Sequence, residues 1–226
     1  VRNGRIGTVK KVTCGLGEIK PSPVIPAVAV PAGLDWDFWL GPAPQVPYRA
    51  LPELREGYGG GVPLYSNAHY AFRFWHAYSG GKLTDWGAHH VAIATWAMQL
   101  AQEGMGPAEI DGADARHPVP LVDGYPTIDH SYNTSHDFNV ICKYANGLEI
   151  HVTSRGDNGV LFEGTKGRIF VNRGKLTGKP IEENWDQGQF TDEDLRRFYR
   201  GKPHESHKEN FYRCIRESGL PVSDVF

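Results

Sequence analysis

Apolar and polar residues alternate along several stretches of the chain, and this alternation predicts β-hairpins. Residues 135–145 place five side chains on one face of a strand: His136, Phe138, Val140, Cys142 and Tyr144. The alternation resumes at 148–155 after Asn146-Gly147, which predicts a hairpin with a two-residue turn. A second hairpin is expected over 160–172, turning at 164–167. Residues 6–14 predict a further strand.

Helical patterns are fewer and lie mostly outside this strand-rich half. Residues 84–103 predict a helix with Thr84 as its N-cap, stopped by Gly104. A short helical turn is expected to end at Gly41-Pro42, and further helices are expected to start at 191 and to run over 205–218. Four prolines make 21–33 an extended stretch. The pattern indicates an α+β fold with a largely antiparallel sheet and helices on one face.

Composition excludes several classes of protein. The chain has 226 residues, 40% hydrophobic and 22% charged, with a net charge of -2, which is typical of a globular domain rather than a nucleic-acid-binding one. No apolar run approaches the roughly 20 residues of a membrane helix. Three scattered cysteines indicate no disulfide framework, which favours the cytoplasm without excluding export of a parent protein. Because the chain begins with Val1, we expect a fragment of a longer protein.

The sequence predicts no cofactor or metal site within this chain. Gly15-Leu16-Gly17-Glu18-Ile19-Lys20 follows a strand, but it lacks the third glycine of a dinucleotide fingerprint, and prolines replace the helix that should follow. His89 and His90 are adjacent, so on a helix they point about 100° apart and do not readily share one ion. His130 and His136 match no zinc-ligand spacing.

Asp85 and His89 are the strongest candidates for chemistry. At i and i+4 of a helix they share a face, where a carboxylate orients an imidazole and favours its charged form for general acid–base work. The alternative is a helix-capping Asp with a packed His. Aromatic residues gather in the first hundred positions, including Trp86 and Tyr78. They predict either a sugar-stacking surface or simply a core.

Five segments carry a resemblance to a known family: "RNGRIGTVKKV", "DWDFWLGPAP", "SGGKLTDWGAHHVAIATWA", "FEGTKGRIFVNRG" and "HKENFYRCIRESGLPVSDV". In this order they resemble the C-terminal domain of the Gfo/Idh/MocA oxidoreductases, which include glucose-fructose oxidoreductase and inositol dehydrogenase. The resemblance implies an open-faced α+β domain like that of dihydrodipicolinate reductase. It also implies a separate N-terminal Rossmann domain, absent here, that binds NAD(P) and contributes the lysine of an E-K-P motif.

The resemblance also implies roles for residues. His89 matches the family histidine that exchanges the hydroxyl proton of a sugar, polyol or cyclitol substrate, and Asp85 matches its acidic partner. Lys82, His90, Trp86 and Tyr78 are expected to contact substrate. Ala92 stands where many members carry an aspartate, which leaves the usual polyol contacts in doubt.

Two other functions stay open at this point. One is a non-redox lyase, hydratase or isomerase, assisted by a metal on His89, His90 or His136. The other is a module without catalysis whose sheet builds an oligomer. We expect residues 1–226 to form one substrate-binding and oligomerisation domain that self-associates through its open sheet face and, by itself, neither binds NAD(P) nor catalyses a reaction.

Overall fold

The computed structural model of the chain describes residues 1–2, 4–18, 20–54, 61–100, 105–183 and 205–221, with the single positions 191, 193 and 196. The chain divides into two compact units, Val1–Glu182 and Glu183–Phe226. Among the described residues, no helix is both long and apolar enough to cross a membrane.

A mixed sheet of seven strands forms the centre of the first unit. The described residues of this unit form the strands β1 (Val9–Gly15), β2 (Glu109–Asp111), β3 (Leu121–Val122), β4 (Tyr125–Pro126), β5 (Asn139–Lys143), β6 (Glu149–Thr153), β7 (Gly159–Gly164), β8 (Gly167–Val171) and β9 (Leu176–Thr177). The sheet has the order β2-β5-β6-β1-β7-β8-β9, and β3 pairs with β4 alone. β1 runs parallel to β6 and antiparallel to β7, and the other pairs of the sheet are antiparallel. The predicted largely antiparallel α+β architecture is confirmed.

The two faces of this sheet differ in chemistry because side chains alternate along each strand. The first face carries the core, including Val12, Cys14, Ile150, Val152, Val160 and Phe162. The second face carries a row of alternating charge across six strands, in the order Glu109, Lys143, Glu149, Lys11, Glu163 and Arg168. Opposite charges on neighbouring strands stabilise a sheet by about 0.2–1 kcal/mol for each pair.

In the described part of this unit, three α-helices and two 3-10 helices accompany the sheet. They are α1 (Trp36–Leu40), the 3-10 helices Ala71–Phe74 and Gly81–Leu83, α2 (Trp86–Met98) and α3 (Lys179–Glu182). α2 contacts β1, β6 and β7, and its Gly87, His90 and Ala94 are buried. The predicted helical turn before Gly41 is confirmed as α1, where the Asp35 carboxylate accepts a hydrogen bond from the backbone N–H of Phe38.

α2 is shorter than the sequence pattern predicts, and Thr84 is not its N-cap. The Thr84 hydroxyl accepts a hydrogen bond from the backbone N–H of Gly80, so it closes the preceding turn, and Asp85 takes the N-cap position. At the other end Gln99 adopts the left-handed conformation and Leu100 N–H bonds to the Thr95 carbonyl. This is a Schellman-type stop, and the buried Leu100 side chain anchors it. The predicted stop at Gly104 lies outside the described residues.

Both predicted hairpins are present, but the first differs at its turn. Tyr144 N–H donates to the Leu148 carbonyl, and Gly147 N–H donates to the Tyr144 carbonyl. The loop therefore has three residues with Gly147 at positive φ, and the predicted two-residue turn is wrong. β5 begins at Asn139, so His136 precedes the strand instead of belonging to it. The second hairpin is confirmed, since Gly164 pairs with Gly167.

A smaller aromatic core packs beneath the proline-rich segment. Its buried residues are Ile25, Ala71, Trp75 and Tyr132. The Trp75 indole N–H donates to the Ser66 carbonyl. Residues 21–33 form neither a helix nor a strand beyond one isolated bridge at Ala27, as expected from their prolines.

The second unit is described mainly through one helix, α4 (His207–Glu217). Ser206 and Glu209 form a reciprocal capping box at its start: the Ser206 hydroxyl accepts from Glu209 N–H, and the Glu209 carboxylate accepts from Ser206 N–H. The final helix predicted over 205–218 is confirmed within a residue or two. Most of the helix predicted over 191–199 lies outside the described residues.

Candidate active site

The glycine pair before α2 fixes the turn that leads into this helix. Gly81 has φ +70° and is fully packed against Thr134, whose hydroxyl oxygen would lie 2.5 Å from an added Cβ. This contact fixes the path of the 3-10 turn that carries Lys82. The Lys82 ammonium donates to the carbonyls of Gly17 and Glu18 at 3.3 and 3.1 Å. Burial lowers the pKa of Lys82 below its ordinary value.

Asp85 forms an ion pair that the sequence did not reveal. Its carboxylate lies 2.9 Å from the Arg73 guanidinium, and both side chains are largely buried, with 30% and 14% exposed. Arg73 also stacks on the Tyr70 ring at 3.7 Å. Tyr70 itself has φ +56°, an unusual backbone conformation for a bulky residue. Arg73 therefore holds the carboxylate at the start of α2, and no spacing rule links residues twelve positions apart.

His89 and His90 lie in different environments. His89 is exposed and meets the Trp86 ring edge-on, with 5.9 Å between ring centroids. His90 is only 3% exposed, and its Nε2 lies 2.5 Å from the Asn158 side-chain oxygen. The buried Nδ1 of His90 has no hydrogen-bond partner. An unpaired buried polar atom costs about 1–3 kcal/mol, so a hydrogen-bond donor that reached this nitrogen would stabilise the site.

Two adjoining cavities open beside these histidines. The first, about 350 Å³, is lined by Ala88, His89, His90, Ala92, Ile93, Val171, Asn172 and Arg173. The second, about 240 Å³, is lined by Trp86, His90, Asn158, Asn172, Arg173 and Gly174. Both are lined by His90, Asn172 and Arg173, so they adjoin, and each is near or below the lower end of the size range for small-molecule pockets. Asn158, Asn172 and Arg173 were not predicted, since only strand pairing brings them to α2.

Tyr78 lies in a different place from the histidines. It lines a separate cavity of about 430 Å³ with Trp39, Phe72 and the Gly41–Pro44 turn, and its ring meets Trp39 edge-on at 5.1 Å. Burial, together with the nearby Asp129, raises the pKa of Tyr78 to about 12. The structure therefore brings Trp86, His89 and His90 together at one site, and places the predicted substrate contact Tyr78 at another.

Comparison with known proteins decides the family. The model of an oxidoreductase family, described as the C-terminal alpha/beta domain of the Gfo/Idh/MocA proteins, matches residues 20–192. This chain belongs to the Gfo/Idh/MocA oxidoreductase family. No curated protein matches the chain.

The Gfo/Idh/MocA domain shows why Gly15-Leu16-Gly17 is not a cofactor loop. A Cβ on Gly15 would lie 2.2 Å from the Asp157 carbonyl, so the glycine allows two backbone segments to approach closely. Gly17 has φ +71° at the turn whose carbonyl accepts from Lys82. Both glycines therefore serve chain packing, and these residues do not fit a pyrophosphate. Within the described residues, no Rossmann arrangement occurs.

The metal-ligand candidates of this Gfo/Idh/MocA domain do not converge. Among the residues that the structure describes, no group of three His, Cys, Asp or Glu side chains is placed to hold a metal ion. His90 is committed to Asn158, and His136 precedes β5 with its backbone N–H bonded to the Arg116 carbonyl. The described residues thus offer no geometry for the metal-assisted alternative.

Proposed function

We propose that this chain is the substrate-binding domain of an NAD(P)-dependent oxidoreductase that acts on a sugar, polyol or cyclitol. One observation carries the proposal: in a member of an oxidoreductase family, the exposed imidazole of His89 lines a small-molecule cavity beside the start of α2. Oxidation of an alcohol requires loss of the hydroxyl proton as hydride leaves the carbon. His89 is the group of this chain that we assign to that proton.

Asp85 is the proposed acidic partner of His89. It precedes His89 by four residues, about one helical turn, while Arg73 fixes its carboxylate at 2.9 Å. With its carboxylate paired to the Arg73 guanidinium, Asp85 is proposed to act by fixing the start of α2, the helix that carries His89, and not through a contact with the imidazole.

The cofactor in this proposal binds to a domain outside this chain. NAD(P), when bound there, accepts the hydride. α2 carries a surface suited to such a partner, because Ile93 and Trp96 are 40% and 52% exposed on the same helix as His89. We assign this apolar surface to contact with the cofactor-binding domain, which would also exclude water from the proton-transfer step.

The open sheet face is the proposed site of self-association. Beside the row of alternating charge lies a mixed row across five strands, made of Ile141, His151, Thr13, Leu161 and Phe170. The apolar members of this row, Ile141, Leu161 and Phe170, are half-buried within the chain and are the side chains that a second copy would cover. A two-fold pairing of two copies is the simplest closed arrangement.

The test of the catalytic proposal uses a complete parent enzyme. His89→Ala should lower kcat about 10²–10⁴-fold, the usual contribution of a general acid–base group, with an unchanged melting temperature. His207→Ala, an exposed histidine of the second unit, is the control and should leave kcat unchanged. Reduced nicotinamide is followed by its absorbance. Full activity of the His89→Ala enzyme, or activity without nicotinamide that a chelator abolishes, would reject the proposal.

A further inference from the structure

The candidate site beside His89, made of the two adjoining cavities, is lined within the described residues by one cationic side chain and no anionic one. The guanidinium of Arg173 lines both cavities, and no Asp or Glu side chain of the described residues lines either one. Arg173 also has no carboxylate partner within the part of the chain that the structure describes. We propose that this site takes a sugar acid, with the substrate carboxylate on Arg173 and a substrate hydroxyl on His90. This inference rests on the proposed function and specifies its substrate class.

The turn between β8 and β9 holds Arg173 ready for an anion. Asn172 N–H donates to the Lys175 carbonyl, and the Asn172 side chain accepts from Gly174 N–H and donates to the Asn158 carbonyl. The guanidinium lies 4.9 Å from the Trp86 ring centroid. Stacking occupies the face of the guanidinium and leaves its N–H edge free, which is the edge that binds a carboxylate through two parallel hydrogen bonds.

His90 supplies the second contact. The residue is 3% exposed, Asn158 occupies its Nε2, and its Nδ1 lacks a partner. When Nε2–H donates to the Asn158 oxygen, the neutral ring presents Nδ1 as an acceptor, which suits a hydroxyl donor. A ligand that carries both a hydroxyl and a carboxylate would therefore satisfy His90 and Arg173 together.

The charge of the site favours a carboxylate over a phosphate. Arg173 is the one cationic side chain among the residues that line the two cavities in the described part of the chain, and it matches one negative charge. A phosphate monoester carries close to two negative charges at neutral pH. Lys82, in the turn before α2, is committed to the Gly17 and Glu18 carbonyls.

Calorimetric titration of the chain provides the test. The probes are D-glucuronate and D-galacturonate, with D-glucose and D-galactose as neutral counterparts and glucose 6-phosphate as the phosphate arm. We expect at least one uronate to bind about ten- to a hundredfold more tightly than its hexose, the range of a charge-assisted hydrogen-bonded pair. This preference should weaken as salt rises, because Arg173 is exposed.

Two arginine variants make the test specific. Arg173→Gln should reduce uronate affinity to that of the hexose, while Arg168→Gln, an exposed arginine five residues earlier on the open face, should keep the preference. Arg173→Lys keeps the positive charge but loses the planar guanidinium, so its uronate affinity should lie between those of Arg173→Gln and the unsubstituted chain. The inference is overturned if uronate and hexose bind equally, if glucose 6-phosphate binds more tightly than the uronates, or if no probe binds. It is also overturned if Arg173→Gln keeps full uronate affinity.

The same probes separate this inference from the proposed function. If the complete enzyme oxidises the hexoses and ignores the uronates, the sugar-acid assignment fails and the oxidoreductase proposal stands. If uronates bind in an Arg173-dependent way but donate no hydride, the assignment stands and the oxidoreductase proposal fails.

Discussion

Replacing Gly81 with alanine should destabilise the turn before α2 by two separable effects. Gly81 has φ +70°, and a left-handed conformation costs an L-residue roughly 1–2 kcal/mol. The new Cβ would also lie 2.5 Å from the hydroxyl oxygen of Thr134 and 2.9 Å from its Cβ, closer than real Cβ atoms approach. Overpacking of this kind costs typically 1–3 kcal/mol. We therefore expect Gly81→Ala to lower the free energy of unfolding by about 3 kcal/mol.

Gly33→Ala is the matched control for the backbone effect. Gly33 has φ +86°, and nothing lies within 4 Å of an added Cβ. Its substitution should cost only the conformational part, about 1 kcal/mol. The difference between the two variants measures the contact with Thr134.

The assay is urea unfolding of the chain followed by tryptophan fluorescence. A double-mutant cycle adds Thr134→Ala, which removes the closest oxygen and should recover about 1–2 kcal/mol in the Gly81→Ala background. If Gly81→Ala and Gly33→Ala lower stability equally, or if Thr134→Ala recovers nothing, then the packing of Gly81 against Thr134 does not fix this turn.

Two further predictions concern other parts of the first unit. Since the pKa of Tyr78 is raised from 10.0 to about 12, its neutral form contributes stability that is present below pH 10 and lost as pH rises through about 12. Tyr78→Phe should therefore remove one late-titrating tyrosine from the ultraviolet titration of the chain. An unchanged titration curve would contradict the burial of this hydroxyl. Ile141→Glu should convert a two-fold dimer to a monomer in light scattering, because a buried unpaired carboxylate disfavours the interface. The control Val28→Glu, at an exposed apolar position of the proline-rich segment, should leave the molar mass of the dimer unchanged. A monomer mass for the unsubstituted chain would reject the sheet-face interface.

The errors in the predicted elements have local physical causes. Thr84 has the chemistry of an N-cap, but its hydroxyl is engaged by the N–H of Gly80, and Arg73 engages the carboxylate of Asp85. Gln99 ends α2 in a left-handed conformation that sequence rules assign first to glycine or asparagine. The Asn146-Gly147 pair correctly predicted a hairpin turn with Gly147 in it but gave the wrong loop length, because three-residue loops also require positive φ at this position.

The sequence by itself determined the local elements and the family. Alternation along 135–155 and 160–172 predicts hairpins because each strand must bury one face, and Gly41-Pro42 predicts the end of the short helical turn that forms α1. The stretch from Gly80 to Trp96 carried the family resemblance and the assignment of His89 to the start of a helix.

Only the tertiary structure decided which distant residues meet. Alternation tells which face a side chain occupies but not which strand lies beside it, so the parallel pairing of β1 with β6 could not be predicted. That pairing sets the order of the sheet and aligns the charged row on its open face. The contacts of Arg73 with Asp85, His90 with Asn158, and Arg173 with Trp86 depend likewise on the packed fold, because each joins residues of separate elements that no periodic spacing connects.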